Sequence, residues 1–159
     1  MWLSDRRGFL VAALALGGCG FAPAYAPGGP GTALRGQVRA DDPTDALGFA
    51  FVAGIEERLG RPSAARYALS YQIDTAERGA ASIAGVGETR IALLGTVDYS
   101  LTDSATGDVV ASGSLRNVTN YSTTANQLAT QRAMEDAQAR LMRILADQVA
   151  ARLLAAMAA

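Results

Sequence analysis

Catalysis needs nucleophiles, bases or metal ligands, and this chain carries few of them. Its 159 residues include no histidine and one cysteine, Cys19. Without imidazole, Ser–His and Cys–His pairs cannot be assembled, and the commonest protein metal ligand is missing too. Paired carboxylates remain as a route to acid–base work. Asp41/Asp42 and Glu56/Glu57 are such pairs by sequence. Adjacent residues on a helix point apart, however, so both pairs read as solvated surface. An envelope enzyme acting on peptidoglycan through Glu56, Glu57 and Glu88 is the rival reading that these residues leave. Gly85-Val86-Gly87-Glu88 lacks the lysine and the following helix of a phosphate loop. The expectation is a protein that is not an enzyme, with no cofactor and no metal site.

Cys19 offers a different chemistry. It closes the segment Met1–Cys19, in which Arg6 and Arg7 precede an apolar run from Phe9 to Leu16 and the small residues Gly17 and Gly18. That layout is a secretory signal peptide, and its apolar part is too short for a permanent membrane span. Leu16-Gly17-Gly18-Cys19 resembles the lipobox of bacterial lipoproteins, whose cysteine is lipidated and becomes the first mature residue. Cys19 is thus the expected lipidation site. The stretch Arg6–Leu10 also resembles the core of a twin-arginine signal, although general export is the preferred route here. Gly20 stands where an aspartate often retains such lipoproteins in the inner membrane, which by the same resemblance implies the outer membrane.

The elements follow from what is left. Residues 1–18 read as the lipoprotein signal peptide, 19–33 as a flexible tether rich in Pro and Gly, and 34–156 as one domain. A mature chain of this size can form a normal core without disulfides. Every basic residue is arginine, and the mature chain has 12 of them against 14 acidic residues. That balance argues against nucleic acid as a partner. Leu34–Ala40 is a weak strand candidate. Asp42 and Pro43 suit the N-cap and first position of a helix whose apolar face is Leu47, Ala50, Phe51, Gly54, Ile55 and Leu59, stopped by Gly60 and Pro62. Tyr67, Leu69, Tyr71 and Ile73 alternate as a half-buried strand, and Ile91, Leu93, Val97, Tyr99 and Leu101 as another. Arg78–Glu88 between them reads as a loop or irregular extension. Beyond a turn at Ser104–Asp108, a third strand puts Val109, Ala111 and Leu115 on one face. A long helix from about Ala125 to Ala156 closes the chain, with Thr124 and Gln127 as a capping box and a seam running from Leu128 to Leu153. The order β-α-β-β-β-α predicts an α+β fold. Two helices pack on one face of a small, mostly antiparallel sheet, making a two-layer sandwich.

With the odd positions buried, Arg90, Thr96, Asp98, Ser112, Ser114 and Arg116 point outward from the sheet. Arg90 and Arg116 are the candidate contacts to a phosphorylated glycolipid or a protein wall, because guanidinium grips phosphate with two donors.

The sequence Cys19-Gly20-Phe21-Ala22-Pro23-Ala24-Tyr25, Asp98-Tyr99-Ser100-Leu101, the Gly107–Ser122 strand and the long Ala- and Arg-rich final helix together resemble the lipopolysaccharide-assembly lipoproteins of the LptE family. The resemblance covers nearly the whole mature chain. It implies a non-enzymatic lipoprotein on the periplasmic side of the outer membrane, with an LptD-like β-barrel and lipopolysaccharide as partners, acting as plug and assembly partner of that barrel. The alternative is another outer-membrane accessory lipoprotein, such as a secretin pilot or transporter accessory.

Overall fold

A computed structural model describes residues 29–83 and 87–158, apart from the side chains of 30, 83, 87 and 88. Cys19, the leader over 1–18 and the tether as far as 28 lie outside the described residues. The chain then builds α1 (Pro30–Leu34), β1 (Val38–Ala40), α2 (Ala46–Leu59), β2 (Tyr67–Ile83), β3 (Gly87–Asp103), β4 (Val109–Ser122) and α3 (Gln127–Ala156). The expected order holds with α1 added ahead of it. This short helix occupies the end of the expected tether, held there by Leu34, which is fully buried. The weak strand of residues 34–40 accordingly shrinks to the three residues of β1.

The sheet has the order β1-β2-β3-β4. β1 runs parallel to β2 through Val38–Ala40 opposite Tyr67–Leu69, and both other pairings are antiparallel. Odd residues of β2 and β3 face the helices. Leu69, Leu93, Val97 and Leu101 join Phe51, Ile55 and Leu59 of α2 and Leu141, Leu145, Val149 and Leu153 of α3 in one core. Burying one such side chain contributes roughly 1.5–3 kcal/mol. The Phe51 and Tyr71 rings meet at 4.9 Å between centroids, which seats α2 on the β2 side of the layer.

Two close approaches set the layer spacing. A Cβ added to Gly95 would lie 2.8 Å from Leu141 Cδ2, so the bare backbone of β3 lets α3 settle onto the sheet. A Cβ on Gly54 would lie 2.8 Å from the Cβ of Ala146, so α2 and α3 touch almost backbone to backbone. Beside this contact Arg58 donates to both carboxylate oxygens of Asp147, at 2.5 and 2.7 Å.

Several sequence expectations need correction. The first long helix is capped by Asp45, whose side chain accepts from Gly48 N at 2.7 Å, not by Asp42. Asp41 N still donates to the Leu69 carbonyl, so sheet pairing keeps the backbone extended until after Pro43. The last helix is capped by Asn126, whose side-chain oxygen accepts from Leu128 N and Ala129 N, while Thr124 is held by Thr130 instead of Gln127. Leu128 is 62% exposed, because the buried stripe of α3 begins only at Ala137. Val109 is 60% exposed, because the ladder skips a residue between Leu101/Ala111 and Thr102/Val109 and reverses its facing. The supposed loop at Arg78–Glu88 is strand on both sides, so β2 and β3 form a hairpin of 17 residues each. Register shifts between Gly79 and Ser82 erase the alternation that would have marked it.

Candidate functional site

The helices cover one face of the sheet and leave the other to solvent. The registers arrange that solvent face in cross-strand rows. Ser70, Ser100 and Ser112 form one row, and Gln72, Asp98 and Ser114 the next. Ser70, Gln72, Asp98, Ser100 and Ser112 line a shallow trough of about 460 Å³, with Tyr71, Tyr99 and Gly113 between them. Asp74, Thr96 and Arg116 come next, then the apolar row Ala76, Leu94 and Val118, then Arg78, Ala92 and Asn120, and finally Ala81, Arg90 and Ser122. One half of the face is therefore hydroxyl and carboxylate. The other is apolar with an arginine margin.

Arg90 and Arg116 are both exposed on this face, as the parity predicts. The structure does not bring them together. Arg116 sits opposite Thr96, to which its Nε donates at 3.3 Å, and six residues of β3 separate that row from Arg90, about 20 Å. The neighbour of Arg90 is Arg78, on the adjacent strand opposite Ala92 and so diagonal to it, at about 7–8 Å between backbones. Arg78 escapes sequence reasoning because it opens the segment read as a loop. A two-residue period carried past Asp74 would have found it.

The far half of the hairpin is braced from beneath. Tyr121 Oη donates to Glu77 Oε1 at 3.1 Å, tying β4 to β2 across the helix-side surface of β3. Thr119 is buried there and donates to the Ala137 carbonyl at 3.2 Å, and Arg140 donates to the Asn120 carbonyl at 3.1 Å. These bonds hold the arginine-bearing strands against the first half of α3.

At the opposite end Asp103 is buried and multiply bonded. Its Oδ1 accepts from Ala105 N and its Oδ2 from both Nε and Nη2 of Arg66. The Ala105 amide first, and then Arg66, hold its carboxyl below the usual carboxylate range, and the same hydrogen bond raises Arg66. Gly107, at φ +79°, closes the turn, its N–H donating to the Asp103 carbonyl. The bond set is that of a turn clasp.

The carboxylate pairs do not converge on a substrate-sized site. Glu56 lies 3.5 Å from Arg61, Asp42 lies 3.7 Å from Arg39, and Glu57 is exposed. The side chain of Glu88 falls outside the described residues. Asp41, Asp45 and Asp42 act instead on Tyr71, whose hydroxyl is pushed above its ordinary range by burial first and by those charges second. Among the described residues no group of three metal-ligating side chains occurs, and no helix is long and apolar enough to cross a membrane.

Comparison with known proteins agrees with this architecture. The chain superposes on a lipoprotein from Caulobacter crescentus with a TM-score of 0.68 at 21% identity, over 81% of this chain and 96% of that one. A minor lipoprotein from Acinetobacter baumannii matches with a TM-score of 0.52 at 17% identity, over 74% and 88% of the two chains. Rare lipoprotein B from Shewanella oneidensis matches with a TM-score of 0.51 at 15% identity, over 77% and 92%. At these identities the likeness is one of fold. Among functionally curated proteins none matches the chain in sequence. The LptE family, described as lipopolysaccharide-assembly, matches residues 35–153, which is α2, the whole sheet and nearly all of α3. The chain is therefore a member of the LptE lipopolysaccharide-assembly family.

Proposed function

We propose that this protein is an outer-membrane lipoprotein, anchored through lipid on Cys19, that seats in an LptD-like β-barrel and helps deliver lipopolysaccharide to the cell surface. The observation that carries this reading is the family match across the folded domain. The molecule's surface suits the task. The half of the sheet face that carries hydroxyls and carboxylates suits contact with a water-filled barrel lumen.

The arginine-bearing half of that face has the chemistry of a phosphorylated glycolipid site. Arg78 and Arg90 present guanidinium groups close enough for one anionic headgroup, and the row Ala76, Leu94 and Val118 offers apolar contact beside them. Arg116, held at Thr96, is a separate contact for lipid or barrel wall.

Depleting the protein and measuring barrel assembly and surface lipopolysaccharide together tests the proposal. Both should fall. Normal assembly with normal surface lipopolysaccharide would overturn it, and recovery of a secretin in place of a large barrel with tagged protein would identify a different partner.

A further inference from the structure

β2 pairs with β1 only as far as Leu69, so from Tyr71 onward its outer edge has no neighbour among the described residues. The backbone phase of that edge is fixed. Tyr67 N donates to the Gln37 carbonyl and the Leu69 carbonyl accepts from Asp41 N, so odd residues of β2 direct N–H and C=O outward. Among the described residues Ile73, Thr75 and Glu77 therefore present unpaired backbone groups, the template that proteins ordinarily block with charged side chains, proline, a bulge or a covering segment. No proline occurs between Tyr71 and Ile83; the edge carries the charges Asp74, Glu77 and Arg78, and its register shifts begin only after Gly79.

The charges on this edge are arranged in a self-complementary order. Asp74 and Arg78 lie two residues either side of Ala76 and share its face. Neither makes an ion pair among the described residues. In an antiparallel pairing of two copies about a twofold axis at Ala76, residue 74 of one strand faces residue 78 of the other, twice. Moving that axis by one or two residues loses the match, and an axis at Asp74 sets two carboxylates against each other. The axis at Ala76 also obeys the backbone phase. Thr75 faces Glu77 and Ile73 faces Gly79 as hydrogen-bonded pairs, while Asp74 and Arg78 meet in the closer, non-hydrogen-bonded positions where cross-strand charges interact best. The register shifts between Gly79 and Ser82 end the regular ladder where the second copy's β1 begins. The charges that usually forbid edge pairing here select one register of it.

We infer that the free edge of β2 is a self-association surface, on which a second copy of this chain pairs antiparallel about Ala76 to make one continuous sheet six strands across, with each β1 lying beyond the end of the partner's β2. This inference does not rest on the proposed function, although both call on Arg78: a second copy that engages it through Asp74 competes with a lipid headgroup for the same guanidinium.

The test uses the full chain carrying Cys19→Ser, followed by sedimentation equilibrium up to about 1 mM. A monomer–dimer equilibrium is expected. Asp74→Arg or Arg78→Asp alone, each placing like charges opposite at two symmetric points, should weaken it about tenfold or more, and the exchanged pair Asp74→Arg/Arg78→Asp should restore it to within about threefold. In the same background Ala76→Cys should oxidise to a symmetric disulfide, whereas Gln72→Cys, on the same face but remote from its own copy, should not. A monomer at every concentration, single reversals without effect, or cross-linking of Ala76→Cys in cells to a barrel protein in place of a second copy would each overturn the inference.

Discussion

Asp103 and Tyr71 give the fold an acid limb and an alkaline limb. The folded-state pKa of Asp103 is depressed by the Ala105 amide and Arg66. Its contribution is therefore complete above the unfolded carboxylate value, about 4, and is lost as pH falls through the lower folded value. Asp103→Asn should lower the urea midpoint at pH 7, and the gap from the parent should close as pH drops below about 4. Tyr71 has the opposite sense. Its raised pKa leaves stability intact below the unfolded tyrosine value, about 10, and removes it as pH rises through the folded one. A Tyr71→Phe variant should accordingly lose less stability than the parent between pH 9 and 12, about the range in which tyrosines titrate, as followed by circular dichroism. Little of this was legible in the sequence. Asp103 looked like one acidic residue before a turn, because nothing local announces that Arg66, 37 residues earlier, will share its oxygens.

At the scale of the element, the tightest constraint is where α2 crosses α3. Gly54→Ala should improve helix propensity by about 1 kcal/mol, yet the new methyl meets Ala146 at a distance no packed pair adopts. Overpacking of this kind costs about 1–3 kcal/mol, so a lower urea midpoint with unchanged slope is expected, and Gly54→Ala with Ala146→Gly should recover most of it. The sequence did show this helix, since Phe51, Ile55 and Leu59 mark its face and Gly60 its end. It showed the central strands equally well, through the alternation of Tyr67–Ile73 and Ile91–Leu101. It concealed the outer half of the hairpin. Ala, Gly and Ser have no side-chain alternation to read there, and the pairing is held by backbone bonds and the remote Tyr121–Glu77 contact. It also misplaced both helix caps, because several residues before each helix can serve as a cap and only sheet pairing or a turn bond decides among them.

One face of the sheet carries its charge unevenly, with Asp98 in the hydroxyl-rich half, Asp74 and Arg116 together in the middle row, and Arg78 and Arg90 toward the far end. If that far end meets anionic lipid, Arg78→Gln with Arg90→Gln should weaken binding of purified lipopolysaccharide about tenfold or more and flatten its salt dependence. Thermal stability should shift little, since neither residue makes an ion pair among the described residues. Equal binding by the double variant and its parent, measured at low salt, would remove these two residues from the site. Parity exposed Arg90 and Arg116 in the sequence, but the partnership of Arg90 with Arg78 needed the register. A different consequence follows from the three-residue ladder of β1. A pull on the amino-terminal side meets buried Leu34 first, then the backbone bonds of Gly36 and Gln37 to Leu59, Ser63, Arg66 and Tyr67, and then the rungs from Val38 to Ala40. With three rungs against the long antiparallel ladders, that corner is expected to yield first under load, so a molecule held by its amino-terminal side would release a short length of slack while the rest of the body stays folded.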